Sequence, residues 1–332
     1  MIQGGNYCKM LKKIMKTFLA LACILLITTG CSNGFKAKNN SNGSKKIAVL
    51  IHTTDNGLIN NLLSSIKKHA SQNGMSVDIY DSENDNEKQI KQLKSIAKKN
   101  YAAIMVRPVE TSNAQELIAI AGKTPVVFYN FQPEKNVLKA NQDIYVGPEE
   151  EMAGRLQAEY VLSHTNKQTL NVVILRGPDG LVAEKRTDAF KKTLEKSGRQ
   201  INYVFNDTAS WEEDTAEHQM ELFLRTGKPC DVIASNNDDM ALGALKAFKK
   251  AHKKLPIACG VDVSDDGKKA LEKGELGISV AQPTDIQGQK CIEAVMHLID
   301  GKKISDIKGS TEDELYVYTN MISVTRQNVS DY

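Results

Sequence analysis

The chain has 332 residues, 41% of them hydrophobic and 25% charged, with a formal net charge of +3. That balance describes a soluble globular chain with a proper core, and it is too weakly basic to imply a nucleic-acid partner. Cys8, Cys23 and Cys31 fall in or at the end of the leader, while Cys230, Cys259 and Cys291 are odd in number and far apart, so no disulfide framework is expected; the six histidines show no metal-ligand spacing.

Residues 10–31, MLKKIMKTFLALACILLITTGC, carry Lys12, Lys13 and Lys16, then an apolar run over 18–27, then small residues before Cys31. This is the layout of an export signal, and the apolar run is too short to span a bilayer stably. A start at Met10 or Met15 gives a more ordinary signal length than Met1. The cysteine that directly follows the small residues resembles a bacterial lipobox. That resemblance implies cleavage before Cys31 and lipidation of its thiol, although Thr28 stands where the motif usually has Leu. The alternative is a free signal peptide with a coincidental cysteine. Residues 1–30 are therefore read as signal peptide, and 31–45, rich in Asn, Ser and Gly, as a flexible lipid-anchored linker.

From Lys46 the chain alternates short apolar strands with amphipathic helices. Strands are predicted at 47–51, 76–80, 102–106 and 125–130, with helical periodicity at 57–73, 86–99 and 111–122. The alternation restarts after residue 147, with strands at 170–175, 201–205, 231–235, 256–261 and 276–281. Helices are predicted at 149–164, 181–197, 212–226, 237–252 and 265–273. Buried strands alternating with helices need right-handed crossovers and a parallel sheet covered on both faces. Two such runs predict two doubly wound α/β lobes, each able to bind a ligand beyond the carboxyl ends of its strands.

Several chemistries are excluded. The first strand-helix turn, HTTDNG, lacks the GxGxxG of a dinucleotide site, and neither GxxxxGK[ST] nor GxSxG occurs. Glu149, Glu150 and Glu151 read as favourable charge at a helix N-terminus rather than as metal ligands. Nothing assembles a nucleophile, a base and an oxyanion hole, so no catalytic residue, cofactor or metal is predicted.

Polar and aromatic residues gather instead just past the strands: Asn56, Asn130, Arg186, Trp211, Asn237, Asp262 and Gln282, with Leu58 beside them. Amides, an acid and a guanidinium supply complementary donors and acceptors for adjacent hydroxyls, and the single tryptophan offers a flat face to a sugar ring. Each also has a plainer reading: Trp211 as core, Asn237 as a helix N-cap, Asp262 as the cap of a turn. Arg107, ending the strand AAIMVR, either adds charge near the cleft or is solvated.

From about Lys46 to the C-terminus the chain resembles the type I periplasmic-binding-protein superfamily, within it the galactose/glucose- and ribose-binding proteins. The motifs are PVVFYN (125–130), YVG (145–147), TASW (208–211), SNNDDMALGALKAF (235–248), GVD (260–262) and SVTRQNV (323–329). The resemblance implies a three-crossing hinge near 146–149, 281–283 and 318–320. The N-terminal lobe would then be 46–146 plus 283–318 and the C-terminal lobe 149–281 plus 320–332. It implies that Asn130, Arg186, Trp211, Asn237 and Asp262 contact a sugar, with Gln282 as in the ribose branch. Asn56 stands where the galactose branch has aspartate, and Leu58 where it has a stacking phenylalanine. Loop 177–186 lacks that branch's His and Asp, and residues 164–171 lack its calcium loop, so no calcium is predicted. With two acceptor carboxylates missing, the site is expected to discriminate differently from a glucose or galactose site.

The expected function is that of an exported, lipid-anchored solute-binding protein. It would capture a monosaccharide-like ligand or related polyol between its lobes and deliver it to the permease of an ABC transporter. A ligand-sensing receptor for a chemoreceptor or histidine kinase is the alternative. A sugar-responsive repressor is rejected because the N-terminus is an export signal, and the default state is a monomer.

Overall fold

A computed structural model describes residues 45–54 and 57–332. The signal segment, Cys31, most of the linker and Asn56 lie outside the described residues. The first lobe starts with β1 (Lys45–Ile51), one residue ahead of its predicted boundary, followed by α1 (Gly57–Gln72), β2 (Met75–Asp81), α2 (Asn86–Ile96), β3 (Ala103–Val106), α3 (Ala114–Ala121), β4 (Val126–Tyr129) and β5 (Asp143–Pro148). The second contains α4 (Glu150–His164), β6 (Thr169–Arg176), α5 (Leu181–Glu195), β7 (Gln200–Thr208), α6 (Glu213–Arg225), β8 (Val232–Ser235), α7 (Asp238–Lys250), β9 (Ile257–Val261), α8 (Asp265–Lys273) and β10 (Ile278–Ala281). The chain then returns through α9 (Thr284–Ile299) and β11 (Tyr316–Thr319) and ends with β12 (Ile322–Val324).

Two six-stranded sheets result, ordered β11-β5-β4-β3-β1-β2 and β12-β10-β9-β8-β6-β7. All pairings are parallel except β10 with β12. The chain passes from the first sheet to α4 after Pro148, from β10 to α9 through Gln282 and Pro283, and from β11 to β12 through Asn320 and Met321.

Each sheet is covered on both faces because its strands are apolar on both. In β1, Ile47, Val49 and Ile51 pack with Leu62 and Ile66 of α1 and Ile292 and Val295 of α9. Ala48 and Leu50 point the other way, onto Leu93 of α2 and Leu117 of α3. β6 repeats the arrangement: Val173 and Leu175 meet α6 and α7, while Val172 and Ile174 meet α4 and α5. Period-two alternation with apolar residues at every position is what a doubly covered parallel strand requires. Cys259 is buried in the last of these clusters as a small hydrophobe. No helix among the described residues is long and apolar enough to cross a membrane.

Candidate functional site

A cavity of about 760 Å³ opens where the carboxyl ends of both sheets converge. It falls within the roughly 300–1,000 Å³ typical of small-molecule sites. Of the residues singled out from the sequence, Leu58, Asn130, Arg186, Trp211, Asn237, Asp262 and Gln282 all line it. Arg107 lines it as well, which decides its ambiguous reading in favour of the cleft.

The backbone turns that end the strands aim these side chains. Asn130 follows β4 with φ 58°, Trp211 follows β7 with φ 68°, and Asp262 follows β9 with φ 105°. Positive φ is uncommon outside glycine and unfavourable for a ring as bulky as indole, and such strain concentrates at functional positions. Room for the indole comes from Gly177, where an added Cβ would run into the Trp211 ring.

A hydrogen-bonded chain crosses the floor. Arg107 Nε donates to Asn130 Oδ1 at 3.1 Å, Asn130 Nδ2 to Gln282 Oε1 at 3.0 Å, and Gln282 Nε2 to Asp262 Oδ1 at 2.6 Å. Burial raises the Asp262 carboxyl above its ordinary range, against the opposing pull of Arg186, Gln282 and Arg107. Burial likewise lowers Arg107 to about 10. Its guanidinium lies over the Phe131 ring, 4.9 Å from the centroid, and Arg186 lies 6.0 Å from the Trp211 centroid. Each lobe thus presents one aromatic ring backed by an arginine.

The plainer readings are also partly realised. Asn237 caps α7, its Oδ1 accepting from Met240 N at 3.0 Å, while its Nδ2 donates to the Trp211 carbonyl at 3.1 Å. Each end of its amide thus holds one bond within the wall and keeps one donor or acceptor in reserve. Trp211 packs partly against the core of the second lobe while facing the cavity. Asp262 caps nothing; the N-cap of α8 is Ser264.

Other wall residues escape a reading of the sequence. Phe131, next to Asn130, gives the first lobe an aromatic face that Leu58 does not supply. His52 follows β1, and burial followed by the charge of Arg107 brings its pKa down to about 3, so the ring is neutral. Glu150 stands at the N-terminus of α4, as its sequence position suggests, but its surroundings add more: it is 1% exposed, and its Oε2 accepts from Arg186 Nε at 2.6 Å. Arg186 Nη1 in turn donates to the Asn236 carbonyl at 2.6 Å. The triplet EEE cannot announce this pairing, because Arg186 arrives from α5 only in the folded chain. At the rim, Lys185 Nζ donates to Gln132 Oε1 at 3.3 Å, a second contact between the lobes.

Two parallel-sheet lobes with a polar and aromatic cavity at their facing strand ends define a two-lobed binding protein. The chain belongs to the periplasmic binding protein domain family, whose model matches residues 47–303. It is 29% identical to the D-galactose/methyl-galactoside binding periplasmic protein of Haemophilus influenzae over 96% of this chain and 99% of that one. It is 25% identical to the ribose import binding protein of Bacillus subtilis, covering 89% and 95%. The structure also matches an ABC transporter solute binding protein from Bacillus halodurans with bound myo-inositol. The TM-score there is 0.75 at 26% identity, over 88% of this chain and 98% of that one.

Proposed function

We propose that this protein is an extracytoplasmic solute-binding protein that takes a monosaccharide or polyol into the cavity between its lobes and presents it to an ABC transporter. The observation that carries the reading is the composition of the cavity wall. Amide, carboxylate and guanidinium groups form one hydrogen-bonded chain across both lobes, between two aromatic faces. A polyol offers a donor and an acceptor at every hydroxyl and C–H faces between them, which suits such a wall. The relatives named for galactose, ribose and inositol support the same ligand class.

Asn130, Arg107 and Phe131 would contact the ligand from the first lobe, and Trp211, Arg186, Asn237 and Asp262 from the second, with Gln282 at the crossing. A ligand touching both lobes would stabilise a closed arrangement through a hinge at the three crossings. Cys31 would hold the protein to the membrane by lipid, with 31–44 as spacer. No chemical step is assigned.

Calorimetric titration with D-galactose, D-ribose, D-allose and myo-inositol tests the reading. Saturable binding of at least one of them, lost in Trp211→Ala, is the expected result; micromolar affinity corresponds to only about −8 kcal/mol. For the anchor, Cys31→Ser should move the protein from the membrane fraction to the soluble one.

A further inference from the structure

Glu150 reaches the cavity from the first turn of α4 and is buried to 99% of its surface, leaving 1% exposed. One carboxylate oxygen, Oε2, is held by Arg186 Nε at 2.6 Å. The other, Oε1, is buried and has no hydrogen-bond partner among the described residues. A buried charged acceptor without a donor is strongly unfavourable, so the position asks for a donor from outside the chain. Arg186 does not supply it, since its Nε goes to Oε2 and its Nη1 to the Asn236 carbonyl.

Resting on the function proposed above, we infer that Glu150 is a ligand contact: its Oε1 accepts a hydrogen bond from a hydroxyl or ammonium of the bound molecule, and the site refuses sugar acids. Across from it, Arg107 uses only Nε on an acceptor among the described residues, which leaves its terminal nitrogens to donate to a ligand oxygen. A hydroxyl satisfies both demands, donating towards Glu150 and accepting from the first lobe. A carboxylate cannot satisfy the first. The rim adds to the discrimination: Glu110, Glu134, Asp179 and Glu184 line the mouth and are exposed, while the rim cation Lys185 is paired with Glu151 and Arg176 with Asp179. An approaching anion meets a negative field focused by the cleft.

The test uses the full-length protein in a detergent without sugar headgroups, titrated calorimetrically with D-galactose, D-ribose, myo-inositol and D-galacturonate. In Glu150→Gln the amide oxygen remains for Arg186 Nε, so the amide NH2 faces the cavity and a donor replaces the acceptor. The wild type should bind at least one neutral probe and bind D-galacturonate at least 100-fold more weakly. Glu150→Gln should weaken that neutral probe at least tenfold and narrow the gap to D-galacturonate. If Glu150→Gln binds the neutral probe within twofold of wild type while Trp211→Ala abolishes binding, the cavity reading survives and the Glu150 contact is overturned. Should Glu150→Gln not fold, the wild-type ratio decides: D-galacturonate binding as tightly as the neutral probe overturns the proposal. Binding that Trp211→Ala leaves unchanged, or no binding of any probe, removes the cavity reading and this inference with it.

Discussion

Asn130 and Gln282 join the two lobes at the floor of the cavity: Asn130 Nδ2 donates to Gln282 Oε1 at 3.0 Å, and Gln282 passes the chain on to Asp262 at 2.6 Å. Asn130 leaves β4 of one sheet and Gln282 leaves β10 of the other, so the bond spans the crossing between them. Gln282→Ala removes the donor to a buried carboxylate and the acceptor for a buried amide together. We expect a stability loss of about 1–3 kcal/mol, read by denaturant unfolding, because buried polar groups lose their partners. Sugar affinity should fall in the same variant, and unchanged stability would show that the chain of bonds is not formed in solution.

Trp211 depends on its neighbour Gly177. A methyl there must displace the indole, which alone can yield, since its ring lines open space. Gly177→Ala should therefore lower affinity for a neutral sugar about tenfold, or ~1.4 kcal/mol. Near-ultraviolet circular dichroism should change with it, while far-ultraviolet circular dichroism stays native.

The helices α4 and α5 hold Glu150 and Arg186 against each other, and they approach closely at Gly154. A Cβ at that position would run into the Arg186 carbonyl and lie 2.7 Å from Phe190 N, contacts with backbone that no rotamer relieves. Gly154→Ala should destabilise the protein by about 1–3 kcal/mol, as overpacking does. A thermal melt checks it, and the loss should exceed that of Gly301→Ala only if packing rather than backbone conformation dominates. Gly301 has open space around it but φ 67°.

Asp238 supplies a pH dependence. It is buried next to the wall residue Asn237, its Oδ1 accepting from Ser279 Oγ at 2.6 Å and its Oδ2 from Ser264 N at 2.8 Å. Burial, only partly opposed by those bonds, pushes its pKa up to about 8. The folded state therefore holds a proton that the unfolded state has released above its ordinary value of 3.8. Stability falls as pH rises through that window, by roughly 1.4 kcal/mol per pH unit for one such group. Between pH 6.5 and 8 the neutral His52 and the buried Asp143, raised to about 6, no longer contribute slope. Asp238→Asn should flatten the stability profile across that range, and a slope equal to wild type would contradict the assignment.

Much of this architecture was readable because doubly covered parallel strands are apolar throughout and their helices show a clean period. The strands around β1 and β6 and the helices between them follow from that pattern alone. Residues 144–147 read as a junction but form part of β5, because the link from β4 contains only a short 3-10 turn and no helix. α9 carries no simple stripe: Ile292 and Val295 face the sheet, while Gly288 packs so closely that a Cβ would strike Ser65. β11 and β12 are edge strands of four and three residues, too short to show alternation.

In the site, polar residues at strand ends stood out because a buried strand rarely ends on an unpartnered amide or acid. Glu150 and His52 did not, for a physical reason. A glutamate in the first turn of a helix and a lone histidine each satisfy common local rules, and only tertiary burial beside Arg186 or Arg107 changes their meaning.

The chain has a single tryptophan, and it lies on the cavity wall. Intrinsic fluorescence therefore reports on this one surface. Titrating the wild-type protein with D-galactose, D-ribose and myo-inositol should give a saturable change in Trp211 emission. Its midpoint should match the calorimetric affinity and shift to higher concentration in Asp262→Asn. A heat of binding with no change in tryptophan emission would place the sugar elsewhere and contradict the account.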